Sequence, residues 1–395
     1  MTGTNTTLRP CGTVARRTAA LVASTVCLAT LSLSGTALAA PRAATETVPQ
    51  SWEYQALNLA EAQQAAQGEG VTVAVLDSGV EADHPALAGK VTTGPDYVDD
   101  GLKPGDPKWG DHGTAMASDV LKVAPKAEIL SVRITNGDEE SFYRGTSVIA
   151  RGIDYAIEHG ADVISMSIGG ELLGDSYDEE EADALGRAAQ AGIPVLASAG
   201  NSGDEFNEAQ YPAGYPGVIA VAALQQNGTR AEFSTVRTYN SVAAPGVAIM
   251  SAKNTGGYEP INGTSPATAL TAGVVALMKS ENPDLTSAQI RSILTTTAGH
   301  ASSGPSPLDG YGEIDAAAAV EAAAKPPADR TVPVAYKGEE HLATPDGTPK
   351  TKHPALQTDL VTIGGGAAAV GLVMLIGSLL LARASRRRRA RAAAA

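Results

Sequence analysis

The chain has 395 residues, a formal net charge of −14, and 43% hydrophobic but only 4% aromatic residues. All 43 acidic residues lie between positions 41 and 382, where 20 basic residues leave a net charge of −23. A surface that acidic excludes nucleic acid and anionic lipid as partners of that region. Both cysteines, Cys11 and Cys27, fall in the first 40 residues, so no disulfide staples the remainder and its fold rests on its own core.

Residues 1–40 read as a secretory signal. Arg9, Arg16 and Arg17 form a basic start, an apolar run covers 19–33, and Ala37-Leu-Ala39 supplies the small-residue cleavage pattern. Residues 41–70 are a short N-terminal extension with a helical pattern over 55–67. The apolar run 71–76 reads as a buried strand ending at Asp77, followed by a Ser78-Gly79 turn. An acidic cluster, Asp96, Asp99, Asp100 and Asp106, precedes His112, which opens a helical stretch over 114–121. Further apolar runs cover 127–134, 161–168, 193–199 and 218–224, with helical patterns over 144–159 and 178–191 between them. Short buried strands alternating with helices predict an α/β fold, a mostly parallel sheet flanked by helices on both faces. In such sheets functional groups gather at the carboxyl ends of the strands, and Asp77 and Asn201 both follow one.

Ser265 is placed differently, in Asn262-Gly-Thr-Ser-Pro-Ala-Thr268. Pro266 is read as the first helical residue, a position that suits proline, with the helix running to about Met278. Ser265 then stands where free amides and the helix dipole favour negative charge. Residues 71–324 form one domain on this reading. Residues 325–360 are a Pro-rich linker, with six prolines in 325–359. The uncharged stretch 361–382 is long enough as a helix to cross one hydrocarbon core. Arg383, Arg386, Arg387, Arg388 and Arg389 follow it, which predicts a single-pass cell-membrane protein with residues 383–395 cytoplasmic and the large domain outside.

The chemistry follows from four segments. A hydroxyl becomes a nucleophile when a general base takes its proton and a third group orients that base. Ser265, His112 and Asp77 supply those parts, in the chain order Asp, His, Ser, and Asn201 offers a side-chain amide to a developing oxyanion. His84, His159, His300, His341 and His353 have no matching partners. No cofactor is expected. A structural calcium is weighed at Asp178, Glu179, Glu180 and Glu181, and at the cluster before His112, against the simpler reading of solvated carboxylates at a helix start.

With these residues placed, the chain resembles the subtilisin-like (S8) serine peptidases over roughly residues 50–325. The matches are Asp77-Ser-Gly, His112-Gly-Thr, Gly263-Thr-Ser265 and Ser198-Ala-Gly-Asn201. Ser167, Ile168, Gly169 and Gly170 resemble the family's strand that lines the substrate cleft. The layout of signal, peptidase domain, linker and single C-terminal helix is similar to the mycosins, membrane-anchored subtilisin-like proteases associated with type VII secretion in actinobacteria. The resemblance implies an extracellular endopeptidase acting through an acyl-enzyme on protein or peptide substrates, with a secretion complex as partner and no nucleic acid. Three positions depart from the family: Ala115 replaces a second histidine, Pro266 an apolar residue, and Ala269 a proline. Proline restrains the residue before it, here Ser265. That restraint favours the alternative, a non-catalytic, membrane-held assembly partner using the same fold.

Overall fold

The computed structural model describes residues 52–136, 147–169 and 177–329, with helical residues 366, 368–378, 380, 381 and 383 beyond. The signal 1–40, the start of the extension, linker residues 330–360, Gly170 and the tail from 384 lie outside the described residues.

Seven strands form one parallel sheet: β1 (Thr72–Asp77), β2 (Val91–Asp96), β3 (Glu128–Arg133), β4 (Val163–Met166), β5 (Val195–Ser198), β6 (Ile219–Leu224) and β7 (Asn240–Pro245). Their spatial order is β2-β3-β1-β4-β5-β6-β7. From β1 the chain goes to the edge strand β2, returns through β3 beside β1, then crosses to build outward through β4 to β7. The end of β1 is therefore the switch point where such sheets open a crevice.

Alternation along the strands splits the core into two layers. Val73 and Val75 of β1 point into one layer, and Ala74 and Leu76 into the other. The second layer is covered by α4 (Val148–Glu158) and α5 (Glu179–Gln190). The first is covered by α3 (Asp111–Val123) and α6 (Thr264–Glu281), with α7 (Ser287–Thr297) and α8 (Ala316–Ala324) behind. Every residue of α6 from Thr264 to Lys279 is buried. A helix apolar all round is a core helix, and this one brings Ser265 into the middle of the molecule. An antiparallel hairpin, β8 (Ile249–Ala252) with β9 (Tyr258–Ile261), leads into it.

The helical pattern over 55–67 resolves into α1 (Glu53–Ala56) and α2 (Leu59–Ala65), broken at Asn58 with φ 55°. Asparagine tolerates that left-handed conformation. Its side chain donates to Asp315 at 2.9 Å, and the Leu57 carbonyl accepts from Ala316 N at 3.1 Å, so the break ties the extension to the start of α8. Leu57, Leu59 and Ala62 are fully buried in the main core. Gln63 reaches the Lys122 and Val123 carbonyls at the carboxyl end of α3. Beneath it lies a buried ion cluster, with Lys122 Nζ 2.7 Å from Glu53 Oε1 and 3.3 Å from Asp119 Oδ1.

Pro266 is the third helical residue, not the first. The helix begins at Thr264 because the Thr264 N–H has an acceptor outside the helix, Asn201 Oδ1 at 2.9 Å. A proline at that position forfeits no helical hydrogen bond, since the first four N–H groups have no intrahelical partner.

Among the described residues, no helix is long and apolar enough to cross a membrane. The stretch 361–382 is described only in part.

Candidate active site

The segments around Asp77 and His112 are laced together, and the lacing explains their small residues. Ser78 Oγ accepts from Gly113 N at 3.0 Å, and the Ser78 carbonyl accepts from Gly110 N at 3.1 Å. Thr114 Oγ1 accepts from Glu81 N at 2.8 Å. A Cβ at Gly113 would meet the Gly79 carbonyl and lie 3.1 Å from Asp77 Cβ, so only glycine lets α3 start this close to β1. His112, in the first turn of α3, brings Nδ1 to 2.9 Å from both carboxylate oxygens of Asp77. Asp77 is sealed (1% exposed) while the imidazole is 42% exposed, so one face of the pair is dry and the other opens to a substrate. Burial works against a charged His112. The Asp77 charge and hydrogen bond, with Asp111 and Asp119 farther off, outweigh it and hold the imidazole pKa above the ordinary histidine value.

Ser265 lies on the β4 side of this pair. Its hydroxyl donates to the Ser167 carbonyl at 3.1 Å, and the Ser167 hydroxyl donates back to the Ser265 carbonyl at 3.0 Å. Among the described residues that is the hydroxyl's hydrogen bond, and none runs to His112. Asn201 follows β5. Its Oδ1 accepts from both Thr264 N and Thr264 Oγ1, at 2.9 and 3.0 Å. Two donors on Oδ1 fix the flip of the amide and leave Nδ2 free for an acceptor. A methyl at Gly263 would lie 3.5 Å from Ser265 N and 3.7 Å from Asn201 Nδ2. Two N–H groups thus border the space this glycine leaves empty.

Around this centre Ser198 Oγ donates to the Ile168 carbonyl at 3.0 Å, fixing the stretch after β4 beside the stretch after β5. Ser167 therefore borders Ser265, with Ile168 and Gly169 next along the chain, whereas Gly170 is outside the described residues.

The acidic residues read as calcium candidates have other partners. Asp96 and Asp100 grip the guanidinium of Arg133, Asp100 Oδ2 at 2.7 Å, and Arg133 Nε donates to the Ser78 carbonyl at 3.0 Å. Asp100 is held below the usual carboxylate range by that bond. Asp178 caps α5, and Glu181 accepts from Ser147 and Tyr215. Among the described residues no trio of His, Cys, Asp or Glu converges at metal-binding spacing. His84 serves a turn, accepting from Ala86 N and meeting the Gly257 carbonyl.

Sequence reasoning missed Arg133, whose register partner in the sheet is Asp77 and whose guanidinium lies 4.9 Å from the Trp109 ring centre. It connects the strand of Asp77 to the loop that delivers His112. An arginine inside the mostly apolar run 127–134 was the available signal. Thr264, which orients Asn201, carried no signal of its own.

The sequence matches the subtilase family, Peptidase_S8, over residues 68–312. The chain belongs to the subtilase family. Thermitase of Thermoactinomyces vulgaris is 36% identical to this subtilase over 260 residues, 63% of this chain and 85% of thermitase. Subtilisin E of Bacillus subtilis is 38% identical over 242 residues, 58% of this chain and 61% of that protein. Among solved structures, the MycP3 protease from the type VII (ESX-3) secretion system superposes with a TM-score of 0.61 at 30% identity, covering 70% of this chain and 89% of that one. MycP1 from Mycobacterium smegmatis gives 0.59 at 27% identity, covering 77% and 91%. The subtilase is a serine endopeptidase with mycosins among its structural neighbours.

Proposed function

We propose that this subtilase hydrolyses peptide bonds with Ser265 as nucleophile, His112 as general base and Asp77 as the group that orients His112 and stabilises its charged form. The observation that carries the reading is the sealed Asp77 carboxylate against His112 Nδ1, which leaves the other ring nitrogen to face the cleft. In the first step Ser265 Oγ attacks the peptide carbonyl as His112 takes its proton. The carbonyl oxygen becomes an oxyanion held by Asn201 Nδ2 and Ser265 N–H. His112 then gives the proton to the leaving amine, and the carbon–nitrogen bond breaks. Water, deprotonated by His112, releases the acyl group. The resting Ser265 hydroxyl, bonded to Ser167, turns about its Cα–Cβ bond to reach His112. Ser167, Ile168 and Gly169 line the acyl side of the cleft.

The same reading holds the enzyme outside the cell on one helix over 361–382. Support comes from the uncharged length of that stretch, the arginines after it, and exposed apolar side chains such as Val373 and Leu381. The likeness to proteases of type VII secretion systems supports service to such a system.

A second reading, a non-catalytic assembly partner on the same fold, is favoured by the Ser265 hydroxyl being bonded to Ser167 rather than His112. Labelling of the full chain with a fluorophosphonate, beside Ser265→Ala, separates the two. Labelling of the parent alone supports the triad. A folded parent that does not label gives the lead to the assembly role.

A further inference from the structure

Gln210 is a buried polar residue in the loop between β5 and β6, only 2% exposed. Its amide nitrogen has no hydrogen-bond partner among the described residues. The backbone around it is fixed. Gln210 N donates to the Tyr239 hydroxyl at 3.0 Å, and that hydroxyl donates to the Ala199 carbonyl at 3.1 Å. Burial pushes the Tyr239 phenol up to about 12, so it stays a donor at any working pH. The side chain runs between two glycines of the site. A Cβ built on Gly169 would lie 2.7 Å from Gln210 Oε1, and one on Gly200 would collide with the Gln210 side chain.

Those glycines locate the amide within the reaction. Gly169 is two residues beyond Ser167, which is bonded to Ser265 in both directions, and Gly200 immediately precedes Asn201. His112 must hand its proton to the leaving amine, so the leaving half of the substrate lies toward β1. The acyl half is then held by the stretches that follow β4 and β5, which carry Ser167, bonded to Ser265, and Asn201, bonded to the start of α6. The side chain of the residue before the scissile bond therefore descends between the ends of β4 and β5, where the Gln210 amide already sits.

We infer that Gln210 fills the pocket for the residue before the scissile bond and restricts this subtilase to small side chains there, glycine, alanine or serine. The inference rests on Ser265, His112 and Asn201 acting as proposed above. A glutamine side chain displaces several methylene equivalents of space. Each methylene a pocket cannot accommodate changes the specificity constant by about 10–200-fold. The unpaired amide nitrogen marks the space as one the fold leaves for an incoming acceptor, because a buried N–H without a partner is costly in a finished core.

The test measures kcat/KM for tetrapeptide p-nitroanilides that differ only in the residue before the scissile bond, on the full chain and on Gln210→Gly. Active-site concentration is set by fluorophosphonate titration. The parent should cleave the alanine substrate at least tenfold better than the phenylalanine or leucine ones. Gln210→Gly should raise the phenylalanine value at least tenfold while changing the alanine value little. Gln210→Leu, which keeps the volume, should still reject phenylalanine, and Gln210→Ala serves where the glycine variant does not fold. A parent that prefers phenylalanine, or a Gln210→Gly variant that labels fully with an unchanged preference, overturns the inference. Labelling that persists in Ser265→Ala instead overturns the triad reading and leaves the pocket result to be judged on the profiles alone.

Discussion

The buried ion cluster under the extension offers a quantitative test of how the fold is held. In Lys122→Met, the ammonium that touches Glu53 at 2.7 Å, Asp119 at 3.3 Å and the Met250 carbonyl at 2.9 Å is gone. Glu53 and Asp119 are both 0% exposed, so two carboxylates lose their common cation in a dry place. Breaking a buried pair in this way costs about 3–5 kcal/mol. Burial already lifts Asp119 to about 6, against the opposing pull of Lys122 and Ser251. Without Lys122 the Asp119 carboxyl rises further. A carboxyl group whose folded pKa is raised favours folding below its unfolded value of about 4, and that contribution is lost as pH rises through the folded value. The variant should therefore lose most at pH 8 and much less at pH 5. The parent should also weaken between pH 5 and 8, by about 1 kcal/mol, because roughly half of the effect of raising Asp119 to about 6 is already lost below pH 5. Urea unfolding followed by tryptophan fluorescence reads this directly, since Trp52 adjoins Glu53 and Trp109 lies near Arg133 on the catalytic side. A loss under about 1 kcal/mol at pH 8, or equal losses at both pH values, would refute the reasoning.

Four further outcomes follow from the site. The acid limb of kcat/KM should lie above the ordinary histidine value of about 6.5, because His112 is raised and must be neutral to act as base. Asp77→Asn should move that limb down and cut turnover by about 10⁴, read from pH–rate profiles. Asn201→Asp keeps an acceptor for Thr264, hence the start of α6, yet removes the amide donor. Its melting temperature should stay near the parent's while kcat falls by at least the 10²–10³ known for loss of this amide in subtilases, and parental turnover would rule out the oxyanion role. Gly263→Ala puts a methyl 3.5 Å from Ser265 N and 3.7 Å from Asn201 Nδ2, so kcat should fall more than tenfold in steady-state assays with fluorophosphonate labelling slowed in parallel.

Strands β1, β3, β4, β5 and β6 were legible because a parallel sheet buried on both faces writes each strand as a mostly apolar run. Strand β2 was not, because it is an edge strand carrying Thr92, Thr93, Gly94 and Pro95 with partial exposure. Strand β7 was missed for a different reason. It begins at Asn240 and ends at Pro245, and its outer edge is covered by Tyr311, Gly312 and Ile314 through long-range bonds that no local pattern announces. Sheet order was out of reach for the same reason. At the site, Asp77, His112, Asn201 and Ser265 stood out because each lies in a short run of small residues at an element's end. The place of Pro266 did not, because the true helix start is set by Asn201, 63 positions earlier in the chain. Asp96 and Asp100 looked like metal ligands because their cation, Arg133, arrives from another strand.

In the proposed mechanism one side chain both starts α6 and supplies the oxyanion donor. The Asn201 carbonyl oxygen holds the first amide of the helix that carries Ser265, and its nitrogen borders the empty space beside Gly263. The two duties cannot come apart. If the first turn of α6 frays, the amide swings free at the same moment as the nucleophile loses its footing. A partly unfolded copy would thus be chemically silent. Peptide-bond hydrolysis then waits on the first turn of α6 being formed.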